Sequence, residues 1–154
     1  MPGRYFEDYA VGQKFGSGTV AVTAERIKSF AREFDPQPFH TDEEAARHTF
    51  FGGLVASGWH IAAVAMRLLV DSDLGLGGQG AGVAVETMRW LRPVRPGDSL
   101  RVEGTVIETR PSRSRADCGI VKFQTTVYNQ RNEAMLEATH VVMVLRRGAS
   151  PGAR

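Results

Sequence analysis

The chain of 154 residues is 42% hydrophobic and 23% charged, a balance typical of one ordinary globular domain. Its formal net charge of +2 suits a phosphorylated small ligand but is too small for a nucleic-acid-binding surface. The single cysteine excludes an internal disulfide framework and a cysteine-based zinc site.

The N-terminal segment lacks the basic-then-apolar order of a signal peptide, so we predict a cytoplasmic protein. An aromatic stretch, 5–15, turns at Gly12 and leads into a predicted strand over 15–22. Thr23 is then suited to cap a helix in which the apolar residues follow helical spacing, at Ile27, Phe30, Ala31 and Phe34. This pattern predicts an amphipathic helix lying on a core.

Two alternating prolines end that helix, in the order Asp35-Pro36-Gln37-Pro38. Each proline disfavours the α region for the residue before it, so the segment predicts a stiff loop up to His40. A carboxylate and an imidazole are thereby held near each other and can exchange protons. From spacing alone, an equally good interpretation is that Asp35 ends one helix and His40 helps to cap the next.

The following residues predict a charged surface helix over 41–48 and then an apolar segment, 49–56. Phe50 and Phe51 are most simply core or pocket-lining residues. Gly52 and Gly53 suit a tight bend or the close approach of a ligand.

The stretch 57–70 predicts the central element, a helix with almost no polar face. At about 20 Å it is too short to cross a bilayer, so we expect protein to surround it, with the β-rich second half as the covering layer. Ser57 is a good N-cap, and the free N–H groups after it, beginning at Gly58, can bind negative charge.

The remainder of the chain predicts strands. Glycines 75, 77 and 80 match the dinucleotide-binding pattern as a string, but they follow a helix and open a strand, which is the wrong context. Four runs read as strands, over 82–91, 100–106, 119–128 and 134–145, the last of them buried on both faces. One helix and an antiparallel run predict an α+β domain over 1–147, in which the sheet curls round the helix, followed by a disordered tail, 148–154.

The run 30–60 closely resembles the hydratase motif of the MaoC-like dehydratases, the (R)-specific enoyl-CoA hydratase group of the hot-dog fold. The pattern is Asp, any residue, a carboxamide residue, Pro, any residue and His, then a glycine that opens the central helix. The matching positions are Asp35, Gln37, Pro38, His40 and Gly58. The chain departs from the family at two positions, with Gln37 in place of the usual Asn and Ser57 in place of the usual His.

The resemblance implies reversible addition of water to a 2-enoyl-CoA thioester to give the (R)-3-hydroxyacyl product, with no cofactor and no metal. Asp35 is the expected base and His40 its partner and proton donor, acting on one water, while the Gly58 N–H is the expected donor to the enolate oxygen. We also predict that five further residues contact the substrate: Gln37, Phe51, Gly53, Ser57 and Trp59. His60 is more consistent with a core histidine than with a substitute for the missing family histidine.

Two alternatives remain at this point. One is a hot-dog thioesterase, although several of those resemble a design with a carboxylate within the central helix, and residues 58–70 contain none. The other is a non-catalytic acyl-CoA-binding or assembly subunit. We predict an acyl-CoA or acyl-carrier thioester as ligand, no nucleic acid, no membrane, and a homodimer or a multiple of one.

Overall fold

The computed structural model describes residues 3–150 as a short 3₁₀ helix (Phe6–Asp8), four α-helices and a six-stranded antiparallel sheet. The helices are α1 (Ala24–Phe34), α2 (Pro38–Thr41), α3 (Glu43–Arg47) and α4 (Gly58–Val70). The strands are β1 (Lys14–Gly16), β2 (Val20–Ala21), β3 (Gly80–Trp90), β4 (Ser99–Pro111), β5 (Cys118–Tyr128) and β6 (Ala134–Leu145). This is the α+β hot-dog architecture that the sequence predicts.

The sheet has the order β1-β4-β5-β6-β3, with the short β2 paired to β4. The long strands β4, β5 and β6 are joined by hairpins and lie side by side, while β3 reaches the far edge through its pairing with β6. β1 and β2 pair with β4 at one side of the sheet, whereas β3 forms the opposite edge. The segment between β2 and β3, which contains α4, therefore crosses the sheet.

The core fills the space between α4 and the concave face of the sheet. Ile61, Ala65, Leu68 and Leu69 of α4 are buried, and so are the strand residues Leu100, Val102, Val106, Phe123 and Val127. Phe15 of β1 packs edge-on against Phe123, with ring centroids 5.7 Å apart. Position 104 of β4 requires glycine, since a Cβ there would collide with the Phe15 ring.

The expectation that protein surrounds α4 on every side is wrong for the single chain. Four apolar residues at helical spacing are partly or largely exposed on the face turned away from the core: Trp59, Ala63, Met66 and Val70. The sheet covers one side of the helix only, because β3 is its edge strand and no other strand of residues 3–150 lies beyond it.

Several predicted boundaries also change. The strand predicted over 15–22 is two short strands, β1 and β2, separated by residues 17–19. The helix predicted over 41–48 is the shorter α3, capped by Asp42, whose Oδ1 accepts hydrogen bonds from the N–H groups of Glu44 and Ala45. Thr23 caps α1 as predicted, with its Oγ1 accepting from Arg26 N–H.

The C-terminal residues that are described pack against the start of the chain. The backbone N–H of Arg147 donates to a Glu7 carboxylate oxygen at 2.9 Å, and its guanidinium lies beside Asp8. Residues 151–154 of the predicted tail lie outside the described residues. Within residues 3–150, no helix is both long enough and apolar enough to cross a membrane.

Candidate active site

Asp35 is the first residue after α1. Its backbone N–H still donates to the Ala31 carbonyl at 2.8 Å, but its φ of −152° takes the chain out of the helix. Pro36 follows and cannot continue the helical hydrogen bonding. The Asp35 side chain thus points away from α1, toward α2 and the start of α4, and is mostly buried.

His40 lies in the one-turn helix α2 and not in an extended loop, which corrects the predicted local structure. Pro38 occupies the first position of that turn, where its missing N–H costs nothing, and the His40 N–H donates to the Gln37 carbonyl at 2.9 Å. The turn places the His40 ring inside the protein, where the side chain is 7% exposed.

The two ring nitrogens of His40 have different partners. Nδ1 lies 2.7 Å from the Val55 carbonyl oxygen, which can only accept, so the Nδ1 position carries a proton. Nε2 lies 3.3 Å from Oδ2 of Asp35. The alternative in which His40 only caps a helix is therefore not what the structure contains.

Asp35 accepts two further hydrogen bonds. Gln37 Nε2 donates to Oδ1 at 2.6 Å, and Ser57 Oγ donates to Oδ2 at 2.7 Å. Burial alone raises the pKa of Asp35, but the bonds from Gln37 and Ser57 and the charge of His40 together lower that pKa below its ordinary value of 3.8. The carboxylate is thus held ionised at neutral pH.

Gly58 opens α4 as its first residue, with Ser57 as the N-cap. The free N–H groups of the first turn, with the helix dipole behind them, make this end favourable for a developing negative charge. Trp90 of β3 lies against Gly58: its indole Nε1 donates to the Gly58 carbonyl at 2.8 Å, and a Cβ on Gly58 would come within 2.7 Å of that nitrogen. The glycine is required by the proximity of the indole.

These groups meet at a cavity of about 420 Å³, which we call the site cavity. Asp35 and His40, the first turn of α4 and the β3–β4 connection all line this cavity. Its other walls are mostly apolar: Phe51, Val55, Ile61, Leu91, Pro93, Val94 and Met135. A carboxylate and an imidazole beside an apolar space and a helix N-terminus can exchange protons with a bound molecule and stabilise negative charge that develops on it.

The structure brings five of the eight predicted site residues to the lining of this cavity: Asp35, His40, Phe51, Gly58 and Trp59. The other three predicted substrate contacts do not line it. Gln37 and Ser57 hydrogen-bond to Asp35, and a Cβ built on Gly53 would lie 3.3 Å from Nη1 of Arg95. Arg95 in turn donates to the Phe51 carbonyl at 3.0 Å and so holds the loop that carries Phe51.

The sequence did not reveal two contacts of the site, one made by a backbone carbonyl and one made by a residue of β3. The Val55 carbonyl fixes the tautomer of His40, and Trp90 covers Gly58 from a position 32 residues later in the chain. Arg92 also lines the site cavity, where its Nη1 donates to the Ala134 carbonyl at 2.8 Å. Only the tertiary structure shows that residues 90–94 also line the site cavity.

Two aromatic predictions have different outcomes. Phe50 is neither core nor pocket-lining, because its side chain is 97% exposed at the tip of the 49–53 loop. His60 is buried between α1 and α4, where its ring stacks on Phe30 with centroids 4.8 Å apart. Burial lowers the pKa of His60, and its Nδ1 has no hydrogen-bond partner among the described residues. His60 is a core histidine and does not replace the family histidine.

Comparison with known proteins agrees with this geometry. The hot-dog fold is shared with a MaoC-like dehydratase from Rhodospirillum rubrum, whose crystal structure superposes with a TM-score of 0.89 at 53% identity over 96% of this chain and 100% of that chain. The MaoC-like domain family model matches residues 7–129. The chain therefore belongs to the MaoC-like domain family.

Two relatives are similar to this chain over almost their whole length. The chain is 31% identical to an uncharacterised Bacillus subtilis protein, YdeM, over 91% of this chain and 98% of the relative. It is 30% identical to the (R)-specific enoyl-CoA hydratase of Rhodospirillum rubrum, over 94% of each chain. The relatives with named activities are hydratases and dehydratases, so a hydro-lyase is the kind of enzyme that the family points to.

Proposed function

We propose that this protein adds water reversibly across the 2,3-double bond of an enoyl thioester, giving the (R)-3-hydroxyacyl thioester. The observation that carries the proposal is the approach of Asp35 Oδ2 to His40 Nε2, 3.3 Å, on the wall of a cavity that also receives the N-terminus of α4. The name of the (R)-specific hydratase relative supports the substrate class and the stereochemistry of the product.

The reaction needs three groups. A base must take a proton from water as its oxygen attacks the β-carbon, an acid must protonate the α-carbon, and a donor must stabilise the enolate oxygen formed between those steps. In this mechanism one attacking water binds to both Asp35 and His40: Asp35 accepts its proton, and the pair returns a proton to the α-carbon. The Gly58 N–H, at the positive end of α4, faces the developing oxyanion.

The geometry supports this division of roles. Asp35 remains ionised at neutral pH because two hydrogen bonds and His40 lower its pKa, so it is ready to accept a proton. The Val55 carbonyl accepts a hydrogen bond from Nδ1 of His40, which leaves Nε2 facing the Asp35 carboxylate. Apolar walls beside the pair leave room for an acyl group.

The direct test is turnover of a short enoyl thioester. Purified protein with crotonyl-CoA is expected to lose the absorbance of the conjugated thioester and to form (R)-3-hydroxybutyryl-CoA, identified by chiral chromatography. Binding of crotonyl-CoA without hydration, and without dehydration of the product, would favour a non-catalytic acyl-CoA-binding subunit. Release of free CoA would favour a thioesterase.

We also propose that the protein is a homodimer paired along β3. This strand ends the sheet and, in the part of the chain that the structure describes, pairs with β6 alone, which leaves an edge of eleven residues open. An open apolar edge is a liability unless it is covered. Val83 and Val85 of β3 and the exposed stripe of α4 provide continuous apolar surface beside it.

A second copy of the chain fits this edge because an antiparallel pair of identical strands is self-complementary about a two-fold axis. The same contact would cover the α4 stripe. It would also adjoin a cavity of about 370 Å³ between α4 and β3, lined in part by Met66, Val70, Gly82 and Val85, which we call the distal cavity.

A further inference from the structure

Ser57 is the residue that joins the acid–base pair to the central helix. It is completely buried and immediately precedes α4. Its hydroxyl donates to Oδ2 of Asp35 at 2.7 Å and accepts from the backbone N–H of Trp59 at 3.3 Å. Both capacities of the oxygen are used, so the hydroxyl has one stable orientation.

The Asp35 carboxylate is correspondingly fixed on both oxygens. Oδ1 accepts from Gln37 at 2.6 Å, while Oδ2 accepts from Ser57 and also faces Nε2 of His40. Two donors on opposite oxygens hold the plane of the carboxylate, which a single bond cannot do. Without Ser57, Oδ2 would be held by His40 alone, the group with which it must exchange a proton.

We infer that Ser57 is a positioning residue that sets the distance between the base Asp35 and the oxyanion donor of Gly58. One peptide bond separates the hydroxyl that holds the carboxylate from the N–H that faces the substrate oxygen. This inference rests on the proposed function for its catalytic meaning. It reassigns Ser57, which the sequence predicts as a substrate contact, to a place behind the cavity wall.

The charges around Asp35 agree with such a role. His40 from α2 acts directly on the carboxylate, and Arg92 from the β3–β4 connection lines the same cavity. Burial raises the pKa of Asp35, whereas the hydrogen bonds from Gln37 and Ser57 and the charge of His40 lower it. Loss of the Ser57 hydroxyl therefore raises the pKa of Asp35, and the carboxylate accepts its resting proton at a higher pH.

The test is the pH profile of Ser57→Ala and Ser57→Thr. We expect Ser57→Ala to lower kcat roughly tenfold, as loss of a hydrogen bond to a charged group typically does, with little change in KM. The acid limb of kcat/KM should move to higher pH, because the base is lost by protonation as pH falls. Ser57→Thr retains the hydroxyl and should restore both kcat and the acid limb.

Helix capping needs its own control, since Ser57 also caps α4. Thr23→Ala removes the equivalent cap from α1, where Thr23 Oγ1 accepts from Arg26 N–H at 3.2 Å. Both variants should lose comparable melting temperature, but only Ser57→Ala should move the acid limb. If Ser57→Ala folds poorly, Ser57→Gly is the substitute, because glycine is nearly as good an N-cap and also lacks the hydroxyl.

An acid limb that stays in place in Ser57→Ala, or a loss of kcat equal at every pH and not restored by threonine, overturns the inference. A second readout is independent of turnover: the carboxyl ¹³C resonance of Asp35, assigned with Asp35→Asn, should titrate at higher pH in Ser57→Ala than in wild type. An unchanged midpoint also overturns the inference. If wild type hydrates no enoyl thioester, the proposed function fails, and the NMR titration still decides whether Ser57 controls Asp35.

Discussion

The two cavities beside α4 are similar in size but differ in chemistry. The site cavity, of about 420 Å³, adjoins the N-terminal end of the helix, and the distal cavity, of about 370 Å³, adjoins its C-terminal half. Each has apolar walls and one buried histidine, His40 in the first and His140 in the second.

The histidines differ in their partners. His40 faces the carboxylate of Asp35, whereas Nε2 of His140 lies 3.3 Å from the Thr125 hydroxyl, and its ring stacks on Phe123. The site cavity also receives the free N–H groups of α4, which the distal cavity does not. An apolar space with a histidine is common to both cavities, so the proposed chemistry depends on the carboxylate and the helix N-terminus that only the site cavity has.

The largest expected effect comes from the acid–base pair. Asp35→Asn and His40→Gln should each lower kcat for crotonyl-CoA by roughly 10²-fold or more, since general acid–base groups typically supply 10²- to 10⁴-fold. The double variant should be little worse than either single variant, because two residues acting on one water work as a unit. Steady-state kinetics measure all three.

His140→Gln is the matched control, because it removes a buried imidazole from the other cavity. It should cost stability, about 1–3 kcal/mol for the disturbed buried bond, and leave kcat close to wild type. Equal losses of kcat in His40→Gln and His140→Gln would mean that packing and not proton transfer explains the effect.

The second effect isolates the backbone donor. Gly58→Pro removes the N–H and Gly58→Ala keeps it, but both add a Cβ that meets Trp90. The comparison is therefore sharper with Trp90→Leu present in both. In that background the alanine variant should recover most of its activity, and the proline variant should remain lower by roughly 10²- to 10³-fold, as expected for an oxyanion donor.

Melting temperatures should be measured for the same Gly58 and Trp90 variants. If the proline and alanine variants are equally active in the Trp90→Leu background, then Gly58 serves packing against the indole alone. If Gly58→Ala gains nothing from Trp90→Leu, the indole is not what limits that position.

The third effect concerns the C-terminal half of α4 and the proposed dimer. Val85→Lys and Met66→Lys place an ammonium in the apolar surface that a second copy would cover, and burial of an unpaired charge is unfavourable by several kcal/mol. Light scattering should find a wild-type dimer at micromolar concentration and a monomer for each variant. Ile107→Lys, which adds a charge at another exposed apolar strand residue, should remain dimeric.

A wild-type monomer under those conditions would contradict the assembly proposal. A dimer that survives both substitutions would place the interface elsewhere.

The smallest effect is on the pH dependence of stability. Burial lowers the pKa of His60 below its ordinary value of 6.5, so the unfolded state binds more protons than the folded state as pH falls. Stability should decrease as pH falls through the pKa of the unfolded chain. Between pH 7.5 and 5.5 the melting temperature of His60→Phe should fall less than that of wild type. Each kcal/mol of stability that the variant retains should appear as a difference of roughly 2–4 °C. Parallel curves for the two proteins would contradict this account of His60.

The sequence by itself determined most of the elements and indicated the candidate acid–base pair. Helical spacing and the cap Thr23 predict α1, and alternating or continuous apolar runs predict β3 to β6, because these patterns depend on residues close together in the chain. The order Asp35-Pro36-Gln37-Pro38 restricts the local backbone strongly, so the nearness of Asp35 and His40 was predictable as well.

Only the tertiary structure decided which groups share a wall and which face of α4 stays open. Whether Ser57 contacts substrate or Asp35 depends on where α1 ends relative to α4, and the contact spans 22 residues. The fit of Trp90 against Gly58 depends on the register of β3 with β6. The open face of α4 follows from the number of strands beside it. Packing between distant elements sets all three, and no local pattern in the sequence encodes it.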